Sequence, residues 1–232
     1  MLKKLFKDTI IYGIATVLPR VLTLLLTRLY VNKLDTADFG IYSGLFVYLI
    51  LGNVLLSYGM ETAFFRFMNK GEQKKKVQST ALTSLTVSSL FFLLIAYLLR
   101  HFIASWLNYD VQYIVFAIYI LVLDALVVIP FAWLRNKGKA KLYAIVKIGN
   151  TAVNLALNIY YLNYLPAETL ATNVGVYYIF LANVIASLAT FIVLLPIYFK
   201  IHFRFDYRLW KEMMVYAFPV LLAGIAFAVN EG

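Results

Sequence analysis

Arg20 demands more of its surroundings than any other residue in this sequence. It stands near the midpoint of an apolar run, Tyr12 to Tyr30, that is long enough to cross a bilayer. Arginine keeps its proton, so the charge cannot be titrated away. Insertion scales put such a charge at mid-membrane at a cost of roughly 2.5–3.5 kcal/mol, and residues of this kind face a bundle interior or a hydrated cavity. Thr16, Thr23 and Thr27 share its helical face, falling with Arg20 at i, i+4, i+7 and i+11. The stripe is either one wall of a hydrated cavity or the small polar glue that joins helices in membranes.

The same pattern recurs. Asn53, Ser57 and Glu61 form a stripe on the second run. Asn150, Asn154 and Asn158 repeat at i+4 on the fifth, with Lys147 one turn earlier, and Asn183, Ser187 and Thr190 follow on the sixth. Polar faces on four helices suggest a bundle around a polar interior, with four separate hydrogen-bonded seams as the alternative. Asp124 lies in the middle of the fourth run, at a depth comparable to Arg20. Two readings stay open for it: a charge pair with Arg20, or a protonatable group or cation ligand. Glu61 and Arg66 lie near a membrane rim, where long side chains snorkel. Lys147 can do the same, or line a cavity mouth. Asp35 and Asp38 read as a helix N-cap with an acidic first turn.

Several classes of chemistry are disfavoured. There is no Gly-rich phosphate loop, no His-Glu-x-x-His and no nucleophile elbow, so the chain reads as a non-enzyme without cofactor. Cysteine is absent, and His101 and His202 fall in different loops, so no metal site is expected. The net charge of +10 sits in loops between apolar runs. There it reads as topology information and attraction to anionic lipid headgroups rather than as a nucleic-acid surface.

The elements that must carry these residues are legible from hydropathy. The chain is 63% hydrophobic with mean hydropathy +0.81. Runs at about 10–31, 39–62, 79–99, 111–134, 143–165 and 174–199 are each long enough to span, and a seventh starts near 214. The expectation is an all-α, polytopic transmembrane helix bundle of six complete spans plus the start of a seventh. Most of the 21 basic residues fall before the first run or in the even-numbered loops. That places the N-terminus and those loops in the cytoplasm. Trp106, Trp133 and Trp210 are expected as interfacial anchors. The alternating stretch 200–209 reads as an interfacial linker. Pro19, Pro130 and Pro219 are kinks or hinges.

Leu26-Thr27-Arg28-Leu29-Tyr30, Asp38-Phe39-Gly40-Ile41-Tyr42, Gly59 to Phe67, Ile129 to Arg135, Lys137-Gly138-Lys139-Ala140 and Tyr216 to Leu221 add a second line. In this order and spacing they resemble the bacterial polysaccharide biosynthesis, or oligosaccharide flippase, family. Its superfamily also holds the multidrug and toxin extrusion transporters. The resemblance implies a two-lobed transporter of the bacterial inner membrane. In it, 1–199 is an N-terminal six-helix lobe, 200–212 a cytoplasmic linker and 213–232 the truncated first helix of the second lobe. It further implies alternating-access translocation of a prenyl-diphosphate-linked oligosaccharide, with drug–cation antiport as the alternative. Arg20 would then contact the diphosphate. Thr16, Thr23, Thr27, Asn53, Lys147, Asn150, Asn154 and Asn158 would line the substrate path. Asp124, Glu61 or Glu231 would serve coupling to H+ or Na+, or charge pairing.

Overall fold

The computed structural model describes residues 2–70, 73–164, 174–201 and 203–231. They are helical throughout apart from short connections, with no strand among them. The helices are α1 (Leu2–Lys33), α2 (Thr36–Ser57), α3 (Met60–Lys70), α4 (Lys74–Leu98), α5 (Arg100–Leu107), α6 (Val111–Asn136), α7 (Ala140–Tyr164), α8 (Val174–Lys200) and α9 (Tyr207–Glu231). Seven helical stretches among the described residues are long and apolar enough to span a membrane, with α2 and α3 forming one of them. Hydrocarbon offers the backbone no water, so such runs close their hydrogen bonds within the helix. The protein is a multi-pass membrane protein built as a helical bundle.

Local sequence sets the helix boundaries. The Asp35 carboxylate accepts the Asp38 N–H at 2.8 Å and starts α2, as expected. Asp110 starts α6 in the same way, accepting the Gln112 N–H at 2.8 Å. Tyr58 and Gly59 take left-handed φ values of 36° and 70° and divide α2 from α3 within what the hydropathy presents as one run. A Cβ at Gly59 would stand 2.6 Å from the Ala217 carbonyl oxygen of α9, so this close approach requires glycine. The Tyr58 hydroxyl lies 2.7 Å from the Ser84 Oγ on α4.

Other sequence expectations are corrected here. The stretch 100–107 forms a short helix, α5, where a loop is expected; Trp106 on it is exposed, as an anchor should be. Trp133, in contrast, is buried in the core, with the Lys139 ammonium 5.1 Å above its ring. Trp210 donates its indole N–H to Ser84 Oγ at 2.8 Å. Within the expected linker 200–212, Lys200 ends α8 and Tyr207 begins α9. There Asp206 accepts the Leu209 N–H at 3.0 Å. The helices run on through Pro19, Pro130 and Pro219, and through Pro196, which the sequence reading overlooks.

Packing places the polar residues. α1 packs chiefly on α7, while α6 is covered by α2, α4 and α8. One apolar cluster joins α3, α4, the second half of α6, the end of α8 and the start of α9 around Phe64, Leu85, Leu134 and Leu194. Another joins α2, α5, the first half of α6 and the start of α8 around Leu45, Ile118, Ile120 and Phe180. Between the two, α6 carries Asp124.

Candidate functional site

Asp124 sits where three helices meet. Its Oδ1 accepts the Ser187 hydroxyl of α8 at 2.8 Å, and its Oδ2 accepts the Asn53 amide of α2 at 3.5 Å. Beside it, the Asn150 amide of α7 donates to Thr190 Oγ1 on α8 at 2.9 Å. The Thr190 hydroxyl itself donates to the Ala186 carbonyl at 3.0 Å. Three of the four polar faces anticipated from spacing, those on α2, α7 and α8, therefore converge, and they do so around Asp124 of α6. Buried polar groups in membranes need such partners, because the alternative is an unpaired donor in hydrocarbon.

Two cavities meet at this layer. The larger, about 580 Å³, is lined by Asn53, Asp124, Asn150 and Thr151 and opens toward Lys147, Glu61 and Arg135. The smaller, about 230 Å³, shares those four residues and extends the other way to Thr23, Asn154 and Asn183. Amides and hydroxyls dominate the shared part, which suits hydroxyl-rich ligands that both donate and accept. Lys147 is the cation facing this layer. Its ammonium lies 5.6 Å from the Phe131 ring centroid, and it has no carboxylate within 4 Å among the described residues. At the mouth, Arg135 donates to Glu61 at 2.8 Å and lies 4.9 Å from the Phe65 ring centroid. That pair is a little under half exposed on both sides.

The polar stripe of the first helix lies apart from this layer except at Thr23. Arg20 is exposed, lines neither cavity and has no carboxylate within 4 Å among the described residues. The charge pair with Asp124 is therefore absent, since Asp124 directs both oxygens to Ser187 and Asn53. Thr16, Thr23 and Thr27 donate to the carbonyls of Tyr12, Pro19 and Thr23, each one turn back. Of these, only Thr23 borders a cavity. Ala15, Leu26 and Tyr30 form the buried face of α1, and the polar stripe stands about a quarter-turn away from it.

Asn158 is fully buried at 0% exposure and lines neither cavity. Its amide instead donates to the side-chain and backbone oxygens of Asn154 at 2.6 and 2.8 Å, fixing that residue's orientation. Glu231 falls outside the described side chains. Arg135, Tyr143 and Thr151 belong to the larger cavity but escaped sequence reasoning. Arg135 looks like one more loop cation until α3 brings Glu61 to it. Ser187 and Thr190 were visible as a stripe, but their partners were not.

No match is found among curated proteins. A solved structure of MATE in complex with MaD3S superposes with a TM-score of 0.67 at 15% identity. The match covers 96% of this chain and 54% of that one, so this chain spans about half its length. At that identity the likeness speaks for the fold. The sequence model for "polysaccharide biosynthesis protein" matches residues 5–231, nearly the whole chain. The chain belongs to the polysaccharide biosynthesis protein family.

Proposed function

We propose that this chain forms one lobe of a transporter that flips a prenyl-diphosphate-linked oligosaccharide across the bacterial inner membrane by alternating access. The observation that carries this reading is the polar layer around Asn53, Asp124 and Asn150, with Lys147 facing it. Amides and hydroxyls match sugar hydroxyls, and an ammonium with no carboxylate of its own matches a diphosphate. Membership of the polysaccharide biosynthesis family supports the same substrate class. Residues 1–199 form the lobe, 200–212 connect it, and 213–232 open a second lobe, with the N-terminus on the cytoplasmic side.

Within this reading, Lys147 is the cation of the central path, with Asn53, Asn150 and Asn154 along it. Thr23 borders the smaller cavity, while Arg20, Thr16 and Thr27 stand exposed on α1, where a diphosphate arriving from that side of the bundle meets them first. Asp124 is the candidate for coupling to H+ or Na+. The chain performs no covalent chemistry. A second reading, drug–cation antiport, is favoured by the likeness to MATE and by the interior carboxylate.

Flipping assays decide between them. The full-length protein is reconstituted in vesicles with a prenyl-diphosphate oligosaccharide, and transfer to the opposite leaflet is followed. A charge-assisted hydrogen bond contributes about 1.5–3 kcal/mol, so Lys147→Gln should slow flipping roughly 10- to 100-fold. Wild-type activity in Lys147→Gln, or efflux of organic cations without glycolipid transfer, would sink the proposal.

A further inference from the structure

We propose that the protein holds the headgroup of an anionic membrane phospholipid in a third, separate cavity, at the end of the bundle that carries the basic loops. This cavity, about 910 Å³, shares no lining residue with the central path. Six cations surround it: Lys74, Lys75 and Lys76 at the start of α4, Lys137 just after α6, Lys200 at the end of α8, and Arg204 in the linker. Only Lys76 has a carboxylate within 4 Å among the described residues, Asp206 at 3.8 Å. The other five are left uncompensated around one space.

Three further observations point to a ligand. α4 begins at this cavity, and Gln73 supplies no side-chain cap to it, so the positive end of a 25-residue helix faces the same space. Gln78 lines the cavity at 9% exposure and makes no hydrogen bond to a described residue, while its polar atoms stay open to the cavity. An amide open to the cavity in this way can donate to a phosphate oxygen. Trp133 and Ile201 form an apolar part of the wall.

The position selects a lipid over a soluble anion. The cavity lies at the ends of helices α4, α6 and α8, each long and apolar enough to span, which is where headgroups meet a spanning helix. Phe199 and Phe203 stand exposed next to Lys200 and Arg204, where acyl chains can pack. Charge complementarity then sets the class: a negatively charged phospholipid such as phosphatidylglycerol, with its phosphate between α4 and Lys137, Lys200 and Arg204.

Native mass spectrometry of the delipidated full-length protein tests this, with phosphatidylglycerol and phosphatidylcholine titrated in parallel. The wild type should retain phosphatidylglycerol in clear preference. Lys137→Gln, Lys200→Gln and Arg204→Gln should each weaken it about fivefold, from the usual contribution of one basic residue at an anionic surface. Gln78→Leu should weaken phosphatidylglycerol with every charge intact. Lys141→Gln, on the same side but outside the cavity, should change nothing. Equal retention of the two lipids would overturn the proposal. So would an equal loss in Lys141→Gln, which would indicate diffuse surface charge. Full displacement of the lipid by millimolar inorganic phosphate would assign the cavity to a soluble anion instead.

Discussion

Replacing Asp124 by alanine removes the acceptor that joins α2, α6 and α8. The Ser187 hydroxyl is buried, so it loses its partner without water to replace it. An orphaned buried donor costs about 1–3 kcal/mol, while interhelical bonds in a membrane average about 0.6 and reach about 1.7. The Asn53 contact is long at 3.5 Å and borders a cavity, so its loss adds only a few tenths. Removing a carboxylate also relieves its own desolvation, which acts in the opposite direction. The single variant is therefore ambiguous in sign, and the coupling between Asp124 and Ser187 is the informative quantity. A double-mutant cycle of Asp124→Ala and Ser187→Ala, read by equilibrium unfolding in mixed micelles, should give roughly 0.6–1.7 kcal/mol. Asp124→Asn keeps a carbonyl for Ser187 and should retain most of the stability. A coupling indistinguishable from zero would refute the reasoning, as would an asparagine variant no better than alanine.

Gly59→Ala places a Cβ at positive φ and against the Ala217 carbonyl; the left-handed conformation alone costs about 1–2 kcal/mol, so the midpoint of thermal unfolding in detergent should fall. An unchanged midpoint would mean that α3 and α9 are not so close. The half-exposed Glu61–Arg135 pair should show only about 0.2–1 kcal/mol in a cycle of Glu61→Gln and Arg135→Gln, shrinking as salt is added. A salt-independent value of several kcal/mol would mean the pair is shielded from water. Asn158→Leu removes a buried Oδ1 that has no partner, so stability should hold or rise, while flipping falls because Asn154 is no longer fixed. Loss of both together would make Asn158 part of the scaffold alone.

The spans were legible because hydropathy and length decide what crosses a bilayer, and the seven apolar stretches return in the structure. The Asn53, Asn150 and Thr190 faces were legible because a 3.6-residue period fixes which side chains share a helix face. Which face meets which was not legible, because it depends on helix rotation and on interhelical contacts far apart in sequence. Arg20 and Asp124 hold comparable positions along their apolar runs, yet α1 packs on α7 and leaves Arg20 exposed, while α2 and α8 supply partners for Asp124. Asn158 continues the Asn150 and Asn154 spacing, but lies deeper in the packing and serves Asn154. The Tyr58–Gly59 break was hidden for a related reason: its neighbours, Ser84 on α4 and the Ala217 carbonyl on α9, are both far away in sequence.

The claim that the central polar cavity is the substrate path is tested most directly by cysteine protection. The chain contains no cysteine, so single substitutions introduce the only reactive thiol within it. Asn150→Cys should react with a small charged thiol reagent, and the prenyl-diphosphate oligosaccharide should protect it. Ile145→Cys, on the exposed apolar side of the same helix, should show no such protection. If Asn150→Cys does not react, or reacts equally with and without the oligosaccharide, the cavity is not the path.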